Sequence, residues 1–251
     1  MSARGRLWLV PNTLDLGTAQ SDLQDVLPLG AIRTAAGLRH WVVENARSSR
    51  ALLKRVDQVM PLGCALQEIQ MAELPRPPKG RPAVAEPDLS PLLAPAMAGQ
   101  DVGLMSEAGL PAVADPGSWL VRAAHRLGIA VMPLSGPSSL MLALAASGLN
   151  GQSFAFVGYL PTQADLRQKQ LRELEAHSRR WQQTQIVIET PYRNPALLEA
   201  LCAGLNATTW LSVSCGLTLA GGFTRTDRVA EWRKRSMQLP TDVPAVFSFL
   251  V

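Results

Sequence analysis

The residues of this chain that could do chemistry gather in two turns, SEAGLPAVADPG and PLSGPSSL, which begin at Ser106 and Pro133. Each turn follows a short apolar run that is typical of a buried strand. In open α/β sheets, ligands bind beyond the carboxyl ends of the strands, so both turns are candidates for a binding site. Glu107 is the acid of the first turn, and a buried carboxylate is costly unless it is hydrogen-bonded or paired. A role in the site and a role in bracing the loop are both open to it.

Other residues of the two turns indicate how the backbone is shaped there. Gly109 permits a positive φ and a close approach to a ligand, and Pro111 fixes a bend. Asp115 followed by proline is typical of a helix start and predicts that Asp115 is the N-cap. Ser138 or Ser139 caps the next helix. The free N–H groups of that helix could bind a carboxylate or a phosphate, and plain capping accounts for the same residues.

Several kinds of catalytic site are absent from the sequence. There is no G-x-S-x-G, no Walker loop and no G-x-G-x-x-G fingerprint. The three histidines and three cysteines form no zinc motif, and the odd, widely spaced cysteines suit reduced thiols in the cytosol. The sequence therefore predicts a cytoplasmic protein with no metal and no nucleophile–base pair.

A set of strands and helices must position these turns. In the first part of the chain, the pattern predicts strands at Arg6–Pro11, Trp41–Glu44, within Pro61–Ile69 and at Asp101–Ser106, with helices at Ser21–Leu27, Asn45–Val56, Ser90–Met97 and Trp119–Leu127. In the second part it predicts strands at Ser153–Leu160, Thr184–Glu189, Thr208–Cys215, Phe223–Val229 and Val243–Val251, with helices at Gln163–His177 and Pro195–Leu205. Glycine and asparagine cluster at 148–151, which predicts a boundary between domains 1–149 and 153–251.

Composition limits the class of protein. The 251 residues, 47% of them hydrophobic, can form one large domain or two small ones. The net charge of +4 favours a nucleic-acid partner only slightly. Prolines, glycines and serines interrupt the run Ile129–Leu149, and the N-terminal apolar run is too short for a signal peptide, so no membrane span is expected. The seven prolines of segment 74–95 predict either a surface loop or a mobile lid.

One order of motifs covers most of the chain: RLWLVP, WVVENARSSRALL, the stretch from VGLMSEAG to PLSGPSSL, FAFVGYLP and TQIVIETPYR. This order resembles the tetrapyrrole methylase superfamily, and within it the branch of small-subunit ribosomal RNA cytidine 2′-O-methyltransferases. The resemblance implies a two-domain α/β fold, S-adenosylmethionine (SAM) in a cleft between the domains, and a homodimer.

The resemblance also implies which residues form the site. SAM would contact Val10, Pro11, Gly109, Leu110, Pro111, Val113, Ser138, Ser139, Ile188, Glu189, Thr190, Pro244 and Ala245, largely through the backbone. Glu107, preferred over Glu44, would be the general base for a ribose 2′-hydroxyl. RNA phosphates would lie on a basic rim that includes Arg47, Arg50, Arg76, Lys79 and Arg81, and the solvated face of a helix also accounts for Arg47 and Arg50.

Five motifs depart from the family pattern, and all lie where the acceptor would be handled. PTPIGN reads PNTLDL, EDTR reads ENAR, SDAG reads SEAG, R-E-L-T reads CGLT, and an HNE motif is absent. Three hypotheses follow from this mixture. The chain is an RNA methyltransferase, a methyltransferase of a tetrapyrrole or another small molecule, or a diverged member that binds SAM or RNA with little turnover.

Overall fold

A computed structural model of the chain describes residues 4–15, 17–18, 21–75, 86–235 and 237–251. The chain divides into two compact units, Met1–Pro137 and Ser138–Val251. Each unit has its own β-sheet, so the expected α/β fold is confirmed. Arg76, Lys79 and Arg81 lie outside the described residues, and the expected loop or lid in that segment stays a prediction.

The first unit contains a parallel five-stranded sheet. Its elements are β1 (Arg6–Leu9), α1 (Leu23–Val26), α2 (Leu29–Gly37), β2 (His40–Val43), α3 (Ala46–Val59), β3 (Gln70–Glu73), a 3₁₀ helix (Ser90–Leu93), α4 (Ala94–Met97), β4 (Val102–Met105), α5 (Ser118–Arg126) and β5 (Ala130–Pro133). The strand order is β3-β2-β4-β1-β5, and each pairing is parallel. The carboxyl ends of the strands therefore share one edge, and the loops that contain the candidate residues leave from it.

Apolar side chains cover both faces of this sheet, as buried parallel strands require. Trp41 and Ile32 belong to the cluster beneath α2 and α3, whereas Leu7 and Leu120 belong to the cluster beneath α5. Trp41 of β2 pairs with Gly103 of β4. A Cβ atom at Gly103 would lie 2.6 Å from Cε3 of Trp41, so the indole can pack there only because this residue is glycine.

The second unit contains a mixed five-stranded sheet. Its elements are α6 (Ser139–Ser147), β6 (Phe154–Tyr159), α7 (Ala164–Trp181), β7 (Thr184–Ile188), a 3₁₀ helix (Pro191–Arg193), α8 (Asn194–Gly204), β8 (Trp210–Cys215), β9 (Phe223–Arg228), α9 (Val229–Arg233) and β10 (Ala245–Leu250). The order is β6-β7-β10-β8-β9, in which β6 and β7 are parallel and the other pairs are antiparallel.

Helix α6 packs on this second sheet. Its residues Leu140 and Leu144 share an apolar cluster with Ile186 of β7 and Val246 of β10. Phe247 of β10 faces the opposite way, into the larger cluster that includes α7 and α8. The division between the units therefore falls before α6, one helix earlier than the glycine and asparagine cluster predicts, because α6 buries its apolar side on the second sheet.

Most expected elements are present, but two local predictions are wrong and two helices were not predicted. The strand expected within Pro61–Ile69 begins instead at Gln70, where the backbone pairs with His40 of β2. The sequence pattern does not predict α2 or α9. Helix α5 has Gly117 as its N-cap, so the prediction that Asp115 caps it is wrong. Within the described ranges, no helix has both the length and the apolar character needed to cross a membrane.

Candidate functional site

Glu107 lies at the carboxyl edge of the first sheet, just beyond β4. Its backbone N–H donates to Oε2 of Glu44, which follows β2, at 3.0 Å. Nδ2 of Asn12, which follows β1, donates to the carbonyl oxygens of Ser106 at 3.0 Å and Glu107 at 2.9 Å. Three neighbouring loops are thus joined through the backbone around Glu107. The loop-bracing role that the sequence left open for Glu107 is therefore performed by its backbone N–H and carbonyl groups.

The Glu107 side chain is exposed, and within the described residues its carboxylate has no hydrogen bond or ion pair. It lines a hollow of about 350 Å³ between α3 and the loop after β1. The polar residues of this hollow are Asn12, Thr13, Ser48, Lys54, Arg55 and Glu107. A carboxylate beside hydroxyl, amide and cationic groups can accept a proton from a bound alcohol. Its assignment as the general base stays a prediction.

Asp115 belongs to a group of acids and does not cap a helix. Burial of its carboxyl, together with the negative charges of Glu44 and Glu107, raises the pKa of Asp115 to about 7. The loop that carries it has left-handed backbone at Ala112 and Ala114, each with φ of 64°. Because of these two left-handed residues, Asp115 still belongs to the loop, and α5 begins only at Ser118. The carboxyl can therefore change charge near neutral pH, which the sequence pattern does not predict.

The loops after β1, β4 and β5 meet where the sequence predicts part of the SAM site. Gly109 has φ of 65°, and its carbonyl oxygen accepts the N–H of Asn12 at 2.9 Å. A Cβ atom at Gly109 would lie 3.4 Å from the carbonyl oxygen of Pro137. A Cβ atom at Gly136 would lie 2.2 Å from Cβ of Pro11. The first turn therefore depends on glycine for its positive φ, and the second depends on glycine for the close approach of Pro11.

The remaining predicted SAM contacts of the first unit lie on these same loops. Val10 and Pro11 are buried directly after β1, and Pro111 is buried in the turn after β4. Leu110 is half-buried, and the Val113 side chain is 44% exposed. An exposed valine in a turn otherwise shaped by glycine and proline offers apolar surface to a ligand.

The predicted contacts of the second unit also lie near one another. Ile188 ends β7 and packs against the cluster that contains Leu140 of α6. Because β10 runs antiparallel to β7 and Val246 pairs with Ile188, Pro244 and Ala245 lie at the end of the sheet where Glu189 and Thr190 follow β7. Ser138 is the N-cap residue of α6, without a side-chain capping hydrogen bond, and Ser139 begins the helix. The serine is thus available to a ligand.

Glu189 has local partners in this second unit. Its Oε1 accepts the N–H of Thr190 at 2.9 Å, and its Oε2 lies 3.3 Å from the Arg193 guanidinium. These contacts fix the carboxylate, so the acid expected among the SAM contacts has a structural role as well.

An ion pair that the sequence does not predict holds the loop after β1. Nη1 of Arg55 on α3 lies 2.9 Å from Oδ2 of Asp15, whose side chain is 1% exposed. Burial opposes the charge of Asp15, but hydrogen bonds from Thr13 and Gly17 and the charge of Arg55 hold its pKa below the ordinary value. This is the segment that reads PNTLDL where the family has PTPIGN. The pair therefore fixes one wall of the hollow.

The cysteines and acids give no sign of metal chemistry. No group of three or more metal-ligating side chains is found in the described part of the chain. Cys64, Cys202 and Cys215 are free thiols. Burial raises the pKa of the thiols of Cys202 and Cys215, which disfavours their reactive thiolate forms.

Comparison with known proteins identifies the family. Residues 46–225 match the sequence model of the tetrapyrrole (corrin/porphyrin) methylases. The chain belongs to this family. The resemblance seen in the two glycine- and proline-rich turns is thereby confirmed, and the match runs from α3 in the first unit to β9 in the second.

Curated relatives carry the name ribosomal RNA small subunit methyltransferase I. The protein of Mesorhizobium japonicum is 33% identical over 210 residues, which are 84% of this chain and 65% of that protein. That of Halalkalibacterium halodurans is 32% identical over 76% of this chain and 57% of its own length. That of Pseudomonas aeruginosa is 44% identical over 41% of this chain and 34% of its own length. In each case the chain spans less than two thirds of the relative.

Solved structures share the fold over nearly the whole chain. A conserved hypothetical protein of Aeropyrum pernix K1 has a TM-score of 0.57 at 18% identity, covering 97% of this chain and 84% of that one. Uroporphyrin-III C-methyltransferase of Thermus thermophilus, complexed with S-adenosylhomocysteine, has a TM-score of 0.51 at 17% identity, covering 98% of this chain and 97% of that one. The two-domain methylase fold expected from the sequence is thus confirmed.

Proposed function

We propose that this chain is a SAM-dependent methyltransferase that acts on RNA, at a ribose 2′-hydroxyl of a ribosomal RNA nucleotide. The curated relatives' name, ribosomal RNA small subunit methyltransferase I, supports the RNA substrate. The observation that carries the proposal is Glu107, an unpaired carboxylate among described residues, beside cationic groups at the carboxyl edge of a parallel sheet. That edge is where ligands bind in open α/β folds.

The residues of the first unit fit SAM as a ligand. Gly109 gives the turn after β4 its left-handed backbone, and Val113 of the same turn presents apolar surface. When bound, SAM supplies a methyl group already activated by its sulfonium. The individual SAM contacts, in the first unit and from Ser138 to Ala245 in the second, stay a prediction.

The chain's own task is to hold the acceptor and take its proton. The hollow beside Glu107 is polar on the α3 side, where Ser48 and Lys54 can orient a ribose and its phosphate. Glu107 would hold the hydroxyl by a hydrogen bond and accept its proton as the oxygen becomes nucleophilic. Alignment of the acceptor hydroxyl with the methyl group of SAM contributes the rest of the rate acceleration.

The test is transfer of labelled methyl groups from SAM to small-subunit ribosomal RNA, followed by mapping of the modified nucleotide. We expect a 2′-O-methyl product. Glu107→Gln should lower kcat by about 10²-fold or more with unchanged SAM affinity, because a general base contributes that much. Glu68→Gln, an exposed carboxylate of the same unit, is the matched control.

Each failure of this experiment has its own meaning. Calorimetry that shows no SAM binding by the folded protein would refute the cofactor. Methylation of a tetrapyrrole but not of RNA would favour the small-molecule reading. SAM binding without turnover on any substrate would favour a diverged binding protein. Full turnover by Glu107→Gln would show that another group takes the proton.

Two further expectations belong to this proposal. A homodimer follows from the family resemblance, and light scattering of the purified protein measures its mass. A cytoplasmic location follows from the cysteine pattern and from ribosomal RNA as substrate, and cell fractionation tests it.

A further inference from the structure

The exposed face of α3 carries a row of cations, Arg47, Arg50 and Lys54, which we call the α3 strip. The spacings of three and four residues place them on one face of the helix. The row extends about 10 Å along the axis, at 1.5 Å per residue. Their side chains are exposed, and among the described residues none of them forms an ion pair.

Two hollows flank the α3 strip. One is the hollow of about 350 Å³ that contains Glu107. The other, of about 650 Å³, is lined by Arg47, Arg50 and the segment around Glu73. Lys54 and Ala51 line both hollows, so Lys54 lies on the ridge between them. The row of positive charge thus leads from the outer hollow to the hollow that contains Glu107.

Glu107, in the hollow that Lys54 also lines, keeps a free carboxylate, whereas four other acids around α3 are already engaged. Glu73 accepts the N–H of Ala46 at 2.8 Å. Asp15 pairs with Arg55. Asp57 accepts the N–H of Leu62 at 3.0 Å, and Glu44 accepts that of Glu107. None of these four carboxylates forms an ion pair with Arg47, Arg50 or Lys54 among the described residues, so the three cations of the strip are available to an outside anion.

Helix stability does not explain the α3 strip. The first turn of α3 contains no acid, and Arg47 lies in that turn. The helix dipole disfavours cations at an N-terminus and favours them at a C-terminus, where α3 has none. The positions of the charges therefore point to a ligand.

We propose that the α3 strip binds the phosphates of a single-stranded RNA segment and directs one of its nucleotides into the hollow beside Glu107. This proposal rests on the proposed function and names the path of its substrate. The hollow is large enough for one nucleoside and too small for a duplex. A nucleotide held in a duplex is stacked and cannot enter a recessed site without leaving the stack, so a single strand is favoured.

The experiment compares two triple variants with the wild type. One variant combines Arg47→Gln, Arg50→Gln and Lys54→Gln. The matched control combines Lys169→Gln, Arg172→Gln and Arg179→Gln, which removes three exposed cations from α7. Glutamine has nearly the helix propensity of lysine and arginine, so both variants should fold, and their melting curves verify this.

Binding is measured with a fluorescent single-stranded RNA oligonucleotide that spans the methylated site, over a range of salt concentrations. Each phosphate contact on a single strand contributes about 0.7 to the slope of log K against log salt. The strip variant should show a slope shallower by about 2 and a KM for RNA raised at least tenfold, with SAM affinity kept. The control should match the wild type.

The outcomes separate the two proposals. The wild type could methylate RNA while the strip variant keeps the wild-type salt dependence of binding and the wild-type KM. That result would refute the role of the α3 strip in RNA binding and leave the proposed function intact. Tighter binding of the wild type to the same sequence in a duplex would also refute this role of the strip. A wild type that binds RNA through the strip without methylating it would refute the function only. No RNA binding by the wild type would refute both.

Discussion

The change of Asp115 to asparagine tests the acidic group at the carboxyl edge of the first sheet. In the wild type, burial of the carboxyl and the charges of Glu44 and Glu107 raise the pKa of Asp115 from its ordinary value of 3.8 to about 7. Asparagine has nearly the same shape and no charge. The variant should therefore remove the repulsion and leave the packing in place.

The size and sign of the effect follow from the pKa. The native state holds the proton more tightly than the unfolded chain, so its stability falls as pH rises from about 4 to about 7. The whole pKa difference would correspond to about 4 kcal/mol. Because the carboxyl is partly exposed and water screens the like charges, we expect about half, roughly 2 kcal/mol. Asp115→Asn should be more stable than the wild type by this amount at pH 8 and by nothing near pH 4.

The assay must isolate the first unit, because two units can unfold separately. Amide hydrogen exchange of β4, the strand that precedes the loop, reports the stability of this unit at each pH. Glu68→Gln serves as the control and should show no such trend. A gain for Asp115→Asn that is equal at pH 4 and pH 8, or a loss at pH 8, would refute the reasoning.

Three further predictions concern single residues. Arg47→Glu should stabilise α3 by about 0.3–1 kcal/mol, by placing an acid in the first turn, while it weakens RNA binding; urea unfolding and RNA titration measure the two effects. Gly136→Ala should cost about 1–3 kcal/mol and weaken SAM binding in calorimetry, because its Cβ would lie 2.2 Å from Cβ of Pro11. Ser248→Ala should be neutral or stabilising by about 1 kcal/mol because the buried Oγ has no partner among described residues, whereas Ser212→Ala should cost about 1 kcal/mol by losing the hydrogen bond from Thr226.

Each of these has an outcome that would contradict it. Arg47→Glu would count against the dipole argument if it destabilised the protein. Gly30→Ala, where a Cβ meets nothing within 4 Å, is the control for Gly136→Ala, and equal effects of the two changes would contradict the close approach to Pro11. A loss from Ser248→Ala as large as that from Ser212→Ala would show that the Ser248 hydroxyl has a partner.

The candidate site could be predicted from the sequence where the signal is local. The loops after β1, β4 and β5 are marked by glycine and proline, whose backbone preferences act within a few residues. The helix expected from Asn45 onward is present for the same reason, since Asn45 is a typical N-cap residue and its Oδ1 accepts the N–H of Arg47 two residues later at 2.9 Å. Strand β3 was harder to place, because the polar segment QMAE forms a strand only through its pairing with β2.

Contacts between distant residues account for what the sequence pattern missed. The hydrogen bond that fixes Glu107 joins it to Glu44, 63 residues earlier, and Arg55 pairs with Asp15 across 40 residues. No periodicity of apolar residues marks such polar pairs. The assignment of α6 to the second unit likewise depends on Ile186 and Val246, which its own sequence does not reveal.

The sequence by itself determined the alternation of strands and helices, the turns at the carboxyl edge and the family, because these depend on local backbone preferences and on motif order. Only the tertiary structure decided what the acids do. Asp115 has the local signature of a helix cap, yet strand pairing brings Glu44 and Glu107 close enough for their charges to raise its pKa. The protonation of a carboxyl depends on the charges and burial around it, and these exist only after distant segments have packed together.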